Sequence, residues 1–214
     1  VNDFVREGSS KAMQRVLVLF AHPAAHHSRV HHELLAAAHA VEHITVHDLY
    51  EAYPDFDVNI RREQELLLAH DVIVWQHPFY WYSTPPLVKQ WQDLVLEHGW
   101  AYGRTGHALQ GKVWCHAVSA GGGEQAYQES GRNRHTVQQL LAPLQQTAQL
   151  CGMRWLPPFV VHGTHVLSDV DLAHAAADYG RLLRALRDGH VRFEAAETLT
   201  RINADFSVAL GDTP

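Results

Sequence analysis

The sequence predicts an α/β protein: a five-stranded parallel sheet with helices on both faces. Three observations predict it. Short, unbroken apolar runs recur along the chain, as in parallel strands buried on both sides. Segments with helical spacing separate those runs and supply the crossovers that parallel strands require. Proline, glycine and capping residues mark several of the joins.

The elements follow in chain order. Residues 15–21, RVLVLFA, read as a buried strand, and 29–41, RVHHELLAAAHAV, as a helix. Residues 44–50, ITVHDLY, alternate and are β-branched, so they read as a second strand. A helix over 62–70 leads to a strongly apolar strand at 71–77, DVIVWQH. The helix at 85–99 starts on two prolines and stops at Gly99. Residues 111–120, GKVWCHAVSA, form the next buried strand. A long helix over 135–153 contains Pro143, which predicts a kink. The last strand, 153–163, is interrupted by Pro157 and Pro158. A helix over 168–189 opens on a Ser-Asp cap. Residues 15–189 are therefore the expected domain, with 1–14 and 190–214 as extensions lacking a strong pattern. Right-handed crossovers favour the flavodoxin-like order 2-1-3-4-5, with the ligand site at the carboxyl ends of the strands.

Bulk composition narrows the function. A chain of 214 residues is enough for one well-packed domain, and its formal charge of -6 argues against nucleic acid as a partner. No apolar run approaches a membrane span, and no signal peptide is visible at the start. Two cysteines, Cys115 and Cys151, make no disulfide framework, so a reducing, cytoplasmic setting is expected. Cys115, inside KVWCHAV, reads as a buried core thiol. The 18 histidines invite a metal reading, but no HExxH occurs and no metal site is expected.

Three loops follow the central strands, and the topology brings them to one edge. The first, HPAAHHSR, places Ser28 before a helix N-terminus, where free N–H groups and the helix dipole favour a phosphate. Ser28 also reads as a plain N-cap, and the two roles are compatible. His22 and His31 are candidate donors to the same anion. The second loop, HPFYWYSTPP, sets Phe79, Tyr80, Trp81 and Tyr82 in a row, walls for a flat conjugated ligand. The third, SAGGGEQAY, lets backbone approach a ligand closely. It is neither GxGxxG nor a P-loop, and no GxSxG is present. Anion seat, aromatic wall and glycine floor together describe a flavin mononucleotide site.

AHPAAHHS, VIVWQHPFYWYSTPPLVKQWQD, HGWAYG, GGGE and CGMRWLPPF resemble the NAD(P)H:quinone oxidoreductase family over about residues 14–188. Within it they resemble the ancillary flavoproteins of Kef-type, glutathione-regulated potassium-efflux systems. The resemblance implies a flavodoxin-like fold, a homodimer, and one flavin per subunit, FMN or the FAD that larger relatives use. It assigns His22, Ser28, Arg29, Val30 and His31 to the flavin phosphate. It assigns Phe79, Tyr80, Trp81 and Tyr82 to the ring, and Ala120, Gly121, Gly122 and Gly123 to the glycine loop. Relatives often carry Asn in place of His31 and Thr in place of Ala120. Tyr127 falls where mammalian quinone reductase has its active-site tyrosine, and His135 is nearest to its partner histidine. The implied activity is reduction of quinones by NAD(P)H. The alternative is a mainly regulatory subunit of a membrane potassium-efflux protein, peripheral at the inner face of the membrane.

Overall fold

The computed structural model describes residues 13–211. Its sheet runs β2-β1-β3-β4-β5, all parallel, and the flavodoxin-like order expected from the sequence is the one found. The strands are β1 (Val16–Phe20), β2 (Ile44–Asp48), β3 (Val72–Pro78), β4 (Val113–Ala120) and β5 (Arg154–Trp155). A sixth, β6 (Phe159–His162), also pairs with β4. The single strand expected over 153–163 is thus two. Arg154 and Trp155 pair with Val113 and Trp114, and pairing resumes only where Phe159 meets Ala117. Pro157 and Pro158, which lack the N–H a ladder needs, fall in the gap.

Every residue of β1, β3 and β4 is buried, because helices cover both faces. Successive side chains go to opposite sides. Leu17 and Leu19 join one core with Trp75, Trp91 and Leu144, while Val16 and Val18 join the other with Leu34 and Leu183. The second core lies under α1 (Arg29–His39) and α7 (Asp169–Arg187). The first lies under α3 (Ile60–Ala69) and α4 (Pro86–Val95), with the short α2 (Leu49–Ala52) at its edge. Asp48 ends β2 and caps α2, its carboxylate accepting from the Tyr50 and Glu51 amides at 2.9 and 3.1 Å.

The long helix expected over 135–153 divides into α5 (Val137–Leu140) and α6 (Ala142–Leu150). The break falls at Leu141, where ψ is 6°, so Pro143 sits in the first turn of α6 instead of kinking a helix interior. Thr136 and Gln139 form a reciprocal capping box at the start of α5. Cys115 is buried, as expected, and burial pushes its thiol up to about 12.

Beyond α7 the chain packs back on the domain. It forms α8 (Phe193–Ala196), a 3-10 turn (Ile202–Ala204) and α9 (Phe206–Ala209). Val191, Ala196, Ile202, Ala209 and Leu210 are buried in the second core. This strap runs beside β6: Ile202 N donates to Pro158 O at 2.9 Å. Most of the 1–14 extension, residues 1–12, lies outside the described residues.

Candidate functional site

Because β1, β3 and β4 are parallel and in register, their carboxyl ends share one edge, and the loops leaving them enclose a cleft of about 810 Å³. His22, Ser28, Arg29 and Val30 line it from the first loop. Phe79, Tyr80 and Trp81 line it from the second, and Gly121, Gly122 and Tyr127 from the third. Five candidates stand elsewhere. Ala120 is buried in the core and Gly123 begins the next 3-10 turn. The Tyr82 hydroxyl donates to Asn133 at 3.4 Å. The exposed His135 ring is paired at 3.3 Å with the Asn133 carbonyl.

His31 is the fifth, and its ring lies beneath the cleft. It is fully buried, with Nε2 2.9 Å from the hydroxyl of Ser119, which does line the cleft. Burial, then the neighbouring His22 and His77, push His31 well below the usual histidine range, so the ring is neutral and supports Ser119 from below.

The candidate anion seat consists of backbone and one histidine. Ser28 caps α1, its hydroxyl accepting from the His31 amide at 3.2 Å. The Arg29 and Val30 amides, in the first turn, have no helical carbonyl to bond. The Arg29 side chain turns away and pairs with Asp169 at 2.7 Å. His22 Nδ1 accepts from the Ala24 amide at 3.0 Å, so in the neutral ring Nε2 carries the proton. Burial lowers the His22 pKa and keeps that tautomer neutral. Phosphate would therefore meet N–H donors and a helix dipole without a fixed side-chain cation.

The aromatic wall stands on a strained turn. Tyr80 and Ser83 exchange both backbone hydrogen bonds, at 3.1 and 2.9 Å. The two residues between them, Trp81 and Tyr82, have φ of 48° and 64°, the pattern of a type I′ turn that Asn and Gly usually supply. Two bulky aromatics are held in the left-handed region, and Trp81 is 93% exposed at the tip. Phe79, by contrast, is buried and packs edge-on against Tyr127 at 6.0 Å.

The glycine floor is required by close approach. A Cβ on Gly122 would stand 3.1 Å from the Tyr127 ring, and one on Gly121 would stand 2.8 Å from His165 Nε2. Thr164 and His165, on the loop after β6, complete the cleft and were missed by the sequence reading. The available signal was position: that loop also leaves the carboxyl end of a parallel strand, through Gly163 at φ 68°. Burial, then Tyr82, raise the Tyr127 pKa, so its phenol stays protonated and able to donate.

In a doubly wound parallel sheet the crevice at the β1/β3 switch point is the place where such folds hold their ligands, and the cleft lies there. The chain belongs to the flavodoxin-like fold family, whose model matches residues 14–183. Among solved structures, a chain from the thermophilic tryptophan halogenase structure of Streptomycin violaceusniger is 44% identical. The match spans 76% of this chain and 95% of that one, with a TM-score of 0.75. General stress protein 14 of Treponema denticola, solved in complex with FMN, is 38% identical over 80% of this chain and 99% of its own, TM-score 0.76. An NADPH-quinone reductase of P. pentosaceus is 32% identical over 78% and 96%, TM-score 0.72.

Proposed function

We propose that the chain is a flavin-dependent oxidoreductase that binds FMN in the cleft and reduces quinones with NAD(P)H. The observation that carries this reading is the meeting of anion seat, aromatic turn and glycine floor around one 810 Å³ cavity. The residues fit the group. The Gly121–Gly122 backbone lies against His165 and Tyr127 in the cleft wall, the first-turn amides of α1 face no helical carbonyl, and His22 Nε2 is the protonated nitrogen of the neutral ring. Relatives between 32 and 44% identical carry different names, so likeness alone does not choose the substrate. The FMN bound by the Treponema relative and the activity named for the P. pentosaceus relative agree with the cleft's chemistry.

The chemistry FMN supplies when bound is two-electron transfer, with hydride in from NAD(P)H and electrons out to a quinone. The protein's part is to hold and to screen. The Arg29 and Val30 amides and His22 bind the phosphate. Tyr80 and Trp81 wall the ring, and the glycine loop brings backbone N–H groups to its edge. The Tyr127 hydroxyl donates a hydrogen bond to the substrate oxygen on which charge develops. His135 stands outside the cleft and has no part in this reading.

The deciding experiment is the visible spectrum of the purified protein. Bound oxidised flavin, bleached by NAD(P)H and restored by a quinone, is the expected result. A colourless protein that cannot be reconstituted with FMN or FAD sinks the proposal.

The resemblance to Kef ancillary flavoproteins supports a finer reading. The chain would act as a homodimer that also docks on a Kef-type potassium-efflux protein at the inner face of the membrane. Residues 15–189 would form the flavin domain, with 1–14 and 190–214 as extensions. No helix among the described residues is long and apolar enough to cross a membrane, so such docking would be peripheral. Activation of potassium efflux by a flavin-free variant would separate this regulatory role from catalysis.

A further inference from the structure

Beneath the cleft, three elements meet at one imidazole. His31 of α1 sets its Nε2 2.9 Å from the Ser119 hydroxyl near the end of β4, and its Nδ1 3.4 Å from Gln76 Nε2 on β3. The ring is fully buried, and its burial keeps it neutral, so it carries a single N–H. Which nitrogen holds that proton decides which way the Ser119 hydroxyl points.

Gln76 settles the choice. Its Oε1 is buried and has no hydrogen-bond partner among the described residues. Turned the other way, the side-chain amide would strand two N–H donors at that place, and a buried donor left unpaired is rarer than an under-used carbonyl. The amide nitrogen therefore faces His31, and Nδ1, which meets a donor, is the accepting nitrogen. Nε2 then carries the proton and donates to Ser119 Oγ. Ser119 Oγ makes no other hydrogen bond among the described residues, so its own hydrogen is unspent. The open side of Ser119 is the cleft that it lines.

The place of that hydroxyl says which part of a ligand it meets. Ser119 lies two residues before Gly121 of the glycine floor. The His31 to which it is bonded has its amide on Ser28, the cap beside the candidate phosphate seat. Between the phosphate and the ring of a flavin nucleotide runs the ribityl chain, whose hydroxyl oxygens accept as well as donate. We propose that buried His31 fixes the Ser119 hydroxyl as a donor into the cleft, where it bonds the ribityl chain of the flavin nucleotide. Ser119 is then a further cofactor-binding residue, and His31 a positioning residue that acts through it. The inference rests on the flavin reading above.

Titration of the full chain with three probes tests it: FMN, riboflavin, and lumiflavin, a ring without the chain. Ser119→Ala is expected to weaken FMN and riboflavin about tenfold each, and lumiflavin by less than about twofold. His31→Leu, which lets the hydroxyl turn, should weaken FMN and riboflavin about threefold. His31→Gln, whose amide can donate from the place of Nε2, should restore most of that loss. In a Ser119→Ala background His31→Leu should cost nothing further, because its effect passes through the hydroxyl. Nitrogen-15 NMR of wild-type protein, with the His31 ring assigned through its contacts with Phe20 and His22, should show Nε2 protonated and Nδ1 bare; it needs no variant to fold. The inference is overturned if Nδ1 carries the proton, if Ser119→Ala binds FMN as wild-type protein does, if lumiflavin weakens as much as riboflavin, or if the His31 and Ser119 losses add. Wild-type protein that binds no flavin would instead overturn the parent reading, while the imidazole spectrum still reports the direction of the hydroxyl.

Discussion

Asn203 pairs with Val160 as a neighbouring strand would, its Oδ1 accepting from the Val160 amide and its Nδ2 donating to the Val160 carbonyl, both at 3.0 Å. One side chain thus satisfies backbone on the outer edge of β6, where an exposed strand would offer a template for another chain. Asn203→Ala should cost about 1–3 kcal/mol, since both Val160 groups lose their partner. Urea unfolding measures it; an unchanged midpoint would mean the edge is satisfied some other way.

Glu63 is fully buried and accepts from three donors: His47 Nε2 at 2.8 Å, the Tyr53 hydroxyl at 2.5 Å and Trp91 Nε1 at 2.8 Å. Burial pushes its pKa up, but the hydrogen bonds from His47, Tyr53 and Trp91 outweigh it, and the carboxyl lies below its usual range. The acid ties β2, α2 and α4 to α3. Glu63→Ala strands those donors in the core and should destabilise the fold by about 3–5 kcal/mol. Trp91→Phe, which removes one donor and keeps the ring, should cost much less. Equal losses for the two variants would contradict this account.

Acid should unfold the protein in a window set by its core histidines. His77 Nδ1 lies 2.9 Å from the Pro78 carbonyl, and its Nε2 is 2.9 Å from His116 Nδ1. Trp114 Nε1 donates to His116 Nε2 at 2.7 Å, so the chain is satisfied with both rings neutral. Burial pushes His77 from 6.5 down to about 4. Burial, then His77, takes His116 well below the usual range. Below pH about 6.5 the unfolded chain binds protons that the folded chain refuses, so stability is full above that pH and falls toward pH about 4. His77 alone should remove about 2 kcal/mol between pH 7 and pH 5. Denaturant midpoints across that range test it, and a flat profile would refute the neutral chain.

His22 should discriminate the phosphate from the rest of the cofactor. His22→Phe keeps a ring of similar size but removes the Nε2 donor and the acceptor for the Ala24 amide. FMN binding should weaken about tenfold, with riboflavin binding little changed. A parallel loss for both ligands would move His22 from the phosphate to the ring.

Trp81 should show opposite effects on the empty and loaded protein. Trp81→Gly relaxes a residue at φ 48° that buries almost nothing, so the flavin-free fold should gain up to about 1 kcal/mol. The same change removes the aromatic wall and should lower flavin retention. Thermal unfolding with and without FMN reads both; a change of the same sign in both states argues against a ring-holding role.

The three central strands were legible because each is buried on both faces and reads as continuous apolar sequence. The cleft's main walls followed, since parallel strands deliver their loops to one edge. The histidines of the first loop were harder, being equivalent by composition. Only helix phase separates them: His31 shares the buried stripe of α1 with Leu34 and Ala38, so its ring goes inward. Thr164 and His165 follow a glycine with no periodic neighbours. The strap was illegible because α8 and α9 have four residues each, too few to display a period.

The strap's place in the chain has an evolutionary corollary. The residues lining the cleft all precede residue 183, whereas Thr200 and Arg201, which line a cavity beside Tyr127, follow it. A tail grafted from one relative onto another would alter what sits beside Tyr127 while leaving the sheet and its switch point as they were. The surroundings of Tyr127 can thus be altered through the terminus alone, with the loops at the switch point left as they are.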